Sequence, residues 1–222
     1  MSRFNSFAVE VDAAIKAYFE RYRSAQKKVN DLKEKIEEAA KDQTREGQYN
    51  LARLQVDLNA AQEAFTAVKR ENADVLQGLN KTRENLKSEA DKVFCADPSK
   101  IDPNVMKLFE YGILSVPEFE ALSDKAAKEG NYTMVRLLAA AADEAAEGHF
   151  KNDRNAVQRL SVVSERANEY STGAVLKSFD QIASVAKMAV GDPNAYSHTR
   201  TEPNEFFFDH WDEVAGAAIE SF

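Results

Sequence analysis

The residues best suited to chemistry are few and scattered. His149, His198 and His210 lie far apart and share no metal-ligand spacing, and Cys95 is the only cysteine. One cysteine excludes an intramolecular disulfide and any CxxC pair. No histidine has an acid three residues before it, so the Glu-x-x-His signature of di-iron helical bundles is missing. Glycine-rich phosphate loops, GxSxG and HExxH are missing as well. The densest candidate is Asp209-His210-Trp211-Asp212, two carboxylates with an imidazole between them. Neighbouring residues on a helix point in different directions, so these four do not converge on one ion or one proton. The many other carboxylates read as solvated helix faces. The expectation is a protein that is not an enzyme, with no cofactor, no metal and no catalytic residue.

What remains is chemistry of association. The segment 204–222 carries Phe207, Trp211, Val214, Ala215, Ala218 and Phe222 on one side of a helix, and Phe206 and Phe208 widen its aromatic surface. Residues 202–222 hold six acids, among them Asp209 and Asp212, and no Lys or Arg. An acidic helix with aromatic anchors suits helix-in-groove recognition of a protein partner with a basic rim. This gives Phe207, Trp211, Val214, Phe222, Asp209 and Asp212 as partner-binding candidates. The alternative is that the helix completes the core of its own domain. A second aromatic group, Phe4, Phe7, Tyr18, Phe19 and Tyr22, is richer than a helix end needs. It suits an oligomer contact, or packing inside the chain.

The elements that position these groups follow from periodicity. Phe4, Ala8, Val11, Ile15, Tyr18, Tyr22, Ala25, Val29, Leu32, Ile36 and Ala39 follow at steps of four and three, the spacing that keeps one stripe facing a partner helix. A second ladder runs Leu51, Leu54, Leu58, Ala61, Phe65, Val68, Asn72, Val75, Leu79, Thr82 and Leu86. Between them the apolar phase is lost over 41–50, with Gly47 inside the break. Two antiparallel helices over about 5–44 and 48–95 bury both ladders in one chain, with arms about 60–70 Å long at 1.5 Å per residue. Ile15 then falls near Leu76 or Leu79. One continuous helix with a skip in its heptads is the alternative.

Shorter elements follow. Pro103 suits a first helical position, predicting a helix from 103 to about 111. Ser115-Val116-Pro117-Glu118 has capping-box spacing for a helix over 116–129, and Gly130 suits its C-terminal end. Asn131 can cap a helix over 132–147, closed by Gly148. A helical tract runs from 153 to 190, with Ser171-Thr172-Gly173 as a possible interruption and Gly191-Asp192-Pro193 as its stop. The fold class expected is all-α: a helical hairpin arm over 1–95, a small helical bundle over 96–190, a linker at 191–203 and an acidic aromatic C-terminal helix over 204–222.

Composition agrees. The 222 residues include only 8 glycines and 5 prolines, and 30% are charged, which argues against an all-β or glycine-turn fold. The net charge of −8 is uneven: residues 1–95 carry 17 cations against 16 acids, and 96–222 carry 12 against 21. Such acidity disfavours unaided nucleic-acid binding. The longest apolar run, 137–142, is far short of the roughly 20 residues a membrane span needs, and the N-terminus lacks the pattern of a secretory signal.

Two stretches also carry a resemblance. TREGQYNLARLQ at 44–55 and LFEYGILSVPEFEALSDKAAKEGNYTMVRLLAAAAD at 108–143 resemble small helical proteins encoded in the structural gene regions of tailed phages and prophages of Gram-positive bacteria. The resemblance implies a non-enzymatic virion-assembly role, head- or scaffold-associated, in the bacterial cytoplasm or the virion. It supplies no active-site residues. The rival expectation is a cytoplasmic bacterial adaptor or regulator that places its acidic C-terminal helix in a basic partner groove. Both readings imply protein partners, and the first a homo-oligomer.

Overall fold

A computed structural model describes residues 3–192 and 203–222, and every regular element among them is helical. In chain order these are α1 (Asn5–Ala39), α2 (Arg45–Arg70), α3 (Asn72–Val93), α4 (Pro103–Glu110), α5 (Val116–Lys128), α6 (Tyr132–Glu147), α7 (Arg154–Glu169), α8 (Thr172–Val190), α9 (Glu205–Asp209) and α10 (Trp211–Ser221), with a single 3-10 turn at Pro98–Lys100. The expected linker at 191–203 lies almost wholly outside the described residues. The chain forms two compact units. Their division differs from the one expected: the first unit joins 1–84 to 179–222, and the second spans 85–178.

The first unit is built on the hairpin. α1 and α2 pack along their lengths, and the turn sits earlier than the sequence suggests, over 40–44. Thr44 caps α2, its hydroxyl oxygen accepting from the Gly47 amide at 3.1 Å, while Asp42 accepts from the Thr44 amide at 2.9 Å. Gly47 therefore lies in the first turn of α2 rather than in the break. It is required there, because a Cβ would lie 2.5 Å from Asp42 Cγ. The earlier turn also moves the register. Tyr22 meets Phe65 at 5.0 Å between ring centroids, and the Tyr18 hydroxyl donates to the Lys69 carbonyl at 3.5 Å. In that register Ile15 is level with Asn72, a turn or two short of Leu76 and Leu79.

α2 and α3 form one long bent helix interrupted at Glu71, whose carboxylate takes Arg21 at 2.8 Å. Asn72, the polar member of the second ladder, is buried. Its amide nitrogen lies 3.5 Å from the carbonyls of Val190 and Gly191 at the end of α8. The Asn204 amide donates to the Ala189 carbonyl at 3.1 Å. The last carbonyls of a helix have no partner within it, and here partners come from two other parts of the unit. Arg83 holds Asp180 through two bonds, 2.6 and 2.9 Å.

The second unit is a small bundle. Val105, Leu114, Val116, Phe119, Met134, Val135, Leu138, Leu160 and Val163 form its core. Its ends are set by the expected signals. Asp102 accepts from the Asn104 amide beside Pro103, and Ser115 and Glu118 make a capping box. Gly130 adopts φ of 66°, the left-handed conformation that ends α5. Asn131 then caps α6, accepting from the Met134 amide and donating to the Lys100 carbonyl. Tyr132 packs between Phe94 and Tyr170, at 5.0 and 5.2 Å. The tract 153–190 is indeed interrupted, at Tyr170–Ser171, where the Ser171 hydroxyl accepts from the Ala174 amide at 3.1 Å.

Candidate functional site

The two aromatic groups singled out as separate contact sites meet each other within the first unit. Phe19 stands 4.1 Å from Phe208 and 6.2 Å, edge-on, from Trp211. Tyr22 is edge-on to both Phe65 and Phe208, so α1, α2 and α9 converge on one aromatic knot. Edge-to-face pairs of this kind add to the burial of their rings. Phe4, Tyr18, Phe19, Trp211 and Phe222 are buried, while Phe7, Tyr22, Phe207 and Val214 are half-buried. Phe222 closes against Phe179 of α8 at 6.2 Å.

Two acids of this segment, Asp209 and Asp212, are matched to cations on α1. Asp209 pairs with Arg23 at 2.7 Å, and the Arg23 guanidinium also covers the Phe208 ring at 4.5 Å. Asp212 pairs with Lys16 at 2.7 Å, and Asp12 accepts the Trp211 indole N–H at 2.8 Å. The hydrogen bond to Asp212, then that to Asp12, raises the Lys16 pKa above its ordinary value. The four residues Asp209-His210-Trp211-Asp212 thus face different partners. His210 Nδ1 lies 3.0 Å from the Phe206 carbonyl at the break between α9 and α10. Among the described residues no group of three or more His, Cys, Asp or Glu could hold a metal ion. Cys95 is exposed, and His198 lies outside the described residues.

The packed stripe of the C-terminal segment is shifted from the one anticipated. Phe208, Trp211, Ala215 and Phe222 are buried, and Phe206 is exposed. Ala215 was expected on this stripe, but Phe207 and Val214, also expected there, are only half-buried, and Phe208 takes the inward place. A signal was present: Phe208, Trp211, Ala215, Ala218 and Phe222 follow at steps of three, four, three and four. Of the aromatic anchors expected for an external groove, Trp211 is occupied by α1 and Phe222 by α8 of the same chain. Phe4, Tyr18 and Phe19, expected at an oligomer contact, are buried within the chain.

The surface left open lies elsewhere on the hairpin. α2 turns Leu54 and Ala61 toward α1, where they are buried. Its opposite face carries Tyr49, Ala52, Val56, Ala60 and Ala67, all exposed, with Tyr49 at 77% and Val56 at 67%. Tyr49, Ala52, Val56 and Ala60 follow at steps of three and four, and Glu63 separates them from Ala67, so α2 has a second, mostly apolar face that no other described helix of its unit covers. Sequence reasoning missed it because the stronger leucine ladder accounted for the helix. No described helix is long and apolar enough to cross a membrane. No protein-family model, curated protein or solved structure matches the chain.

Proposed function

We propose that the protein is a non-enzymatic structural protein that self-associates through the outer face of α2. The observation that carries this reading is the exposed stripe of Tyr49, Ala52, Val56, Ala60 and Ala67 on a helix whose other face is already packed. Small residues let two such helices approach closely, and the flanking Tyr49 and Val56 provide apolar anchors. In the setting that the sequence resemblance implies, the protein is a head- or scaffold-associated component of a tailed phage, acting by association rather than turnover. The adaptor reading is weaker, because the anchors it needs, Trp211 and Phe222, are buried against α1 and α8.

Light scattering across a concentration series tests the proposal. The expected result is a mass rising to at least twice that of one chain, with Val56→Glu and Ala60→Glu shifting it back to one chain at unchanged helicity. Both positions are exposed, so neither substitution disturbs packing within the chain. A single-chain mass at every concentration contradicts the proposal.

A further inference from the structure

The outer face of α2 carries a charge pattern as well as an apolar surface. Its apolar stretch, from Tyr49 through Ala52 and Val56 to Ala60, is bounded by Arg45 about one turn before and Glu63 about one turn after. At 3.6 residues per turn both charges fall in line with that stretch. Both are exposed, and neither makes an ion pair among the described residues. The two edges of the face differ. One carries Gln48, Gln55, Asn59 and Gln62 and no charge, so it favours neither direction of pairing. The other carries Glu46, Arg53 and Asp57, so its single cation has an acid on either side along the helix.

Two copies can meet through this face in the same direction or in opposite directions. In the same direction and in register, each residue meets its own kind. Arg45 then faces Arg45, Glu63 faces Glu63 and Tyr49 faces Tyr49, while Ala52 opposes Ala52 and leaves a gap. In opposite directions, with the apolar stretches centred on each other, positions equally far on either side of Leu54 come together. Arg45 stands nine residues before Leu54 and Glu63 nine after it, so cation meets acid at both ends. Ala52 and Val56 stand two residues to either side, and Tyr49 and Ala60 five and six, so each large side chain meets an alanine. Arg53 lies nearest the centre, at the mixed-charge edge rather than in the contact. Arg70, also exposed, extends about 10 Å past the start of α2 in the other copy. Exposed ion pairs add little affinity, but they decide direction where the apolar contact leaves it open.

We propose that two copies of the chain pair antiparallel through α2 about a two-fold axis level with Leu54, with Arg45 of each copy meeting Glu63 of the other. Such a contact uses the same patch on both copies and closes on itself, so the assembly is a dimer. The proposal rests on the self-association reading and adds its direction, register and stoichiometry.

Charge reversal in the full chain, read by sedimentation equilibrium, tests it. The unaltered chain should level off at the mass of two chains. Arg45→Glu and Glu63→Arg should each raise the dissociation constant about tenfold, since each turns two exposed contacts from attraction to repulsion. The two reversals in one chain should restore the original value. Helicity should hold in all three, because an acid in the first turn suits a helix and both positions are exposed. A same-direction dimer would leave all three variants unchanged, since like would still face like. A nitroxide on Gln62→Cys in a Cys95→Ser chain gives a second reading. Antiparallel pairing separates the two labels by about 24 Å along the helix axis, whereas same-direction pairing sets them level. A dimer indifferent to both single reversals, labels that sit level, or a mass that keeps rising past two chains overturns the proposal and keeps self-association. A single-chain mass at every concentration removes both.

Discussion

Ile15 and Ile36 occupy equivalent steps of one ladder on one helix, three heptads apart, yet Ile15 is fully buried and Ile36 only half-buried. Around Ile15, Ala8, Val11, Tyr18 and Phe19 are buried too, because α10 packs on this part of α1 as well. Towards the tip, Val29 is buried while Leu32, Ile36 and Ala39 are half-covered, since two helices alone can shield only part of each stripe. The contrast teaches that a heptad ladder reports which residues face inward, and that the number of helices meeting there decides how much each contributes.

The largest effect expected from breaking this contrast is at its three-helix end. Trp211→Ala removes a buried ring and its bond to Asp12, and should cost about 3–5 kcal/mol in denaturant-induced unfolding. A loss below about 1 kcal/mol would mean that the C-terminal helices are not part of the core. Next come matched truncations on α1. Ile15→Ala should cost about 2–5 kcal/mol, and Ile36→Ala in the dissociated chain no more than about 1 kcal/mol; equal losses would remove the distinction.

A smaller effect tests the turn. Thr44→Ala removes the side-chain acceptor for the Gly47 amide and should cost about 1 kcal/mol, whereas Ala40→Ser nearby should change little. The smallest is electrostatic. Hydrogen bonds from Arg83 hold the Asp180 carboxyl below its usual range. A carboxyl depressed in the folded state stabilises the protein above its unfolded pKa, near 4, and that contribution is lost as pH falls through the lower folded value. Arg83→Gln should therefore flatten the acid end of the stability profile below about pH 4. Both side chains are partly exposed, so added salt should shrink the difference.

Much of the local architecture was legible in the sequence. Pro103, Ser115, Gly130, Asn131, Gly148 and Gly191 end or begin helices where their chemistry predicts, because caps are decided by residues a few positions apart. The inward positions of both ladders were legible for the same reason. The turn was misplaced by a few residues, since Gly47 reads as a breaker until its proximity to Asp42 is seen. The meeting of Phe19 with Phe208 and Trp211 was not legible. It joins residues 189 and 192 positions apart, and each stripe alone is equally consistent with an external partner. The outer stripe of α2 was hidden for the opposite reason: alanine is so frequent in helices that a row of them signals propensity before it signals contact.

The proposed meeting of two copies through the outer face of α2 is open to sedimentation velocity from low to several hundred micromolar, on the unaltered chain and on Val56→Glu. Self-association there gives a sedimentation coefficient that rises with concentration for the unaltered chain and stays at the single-chain value for Val56→Glu. Identical, concentration-independent sedimentation of the two would contradict it.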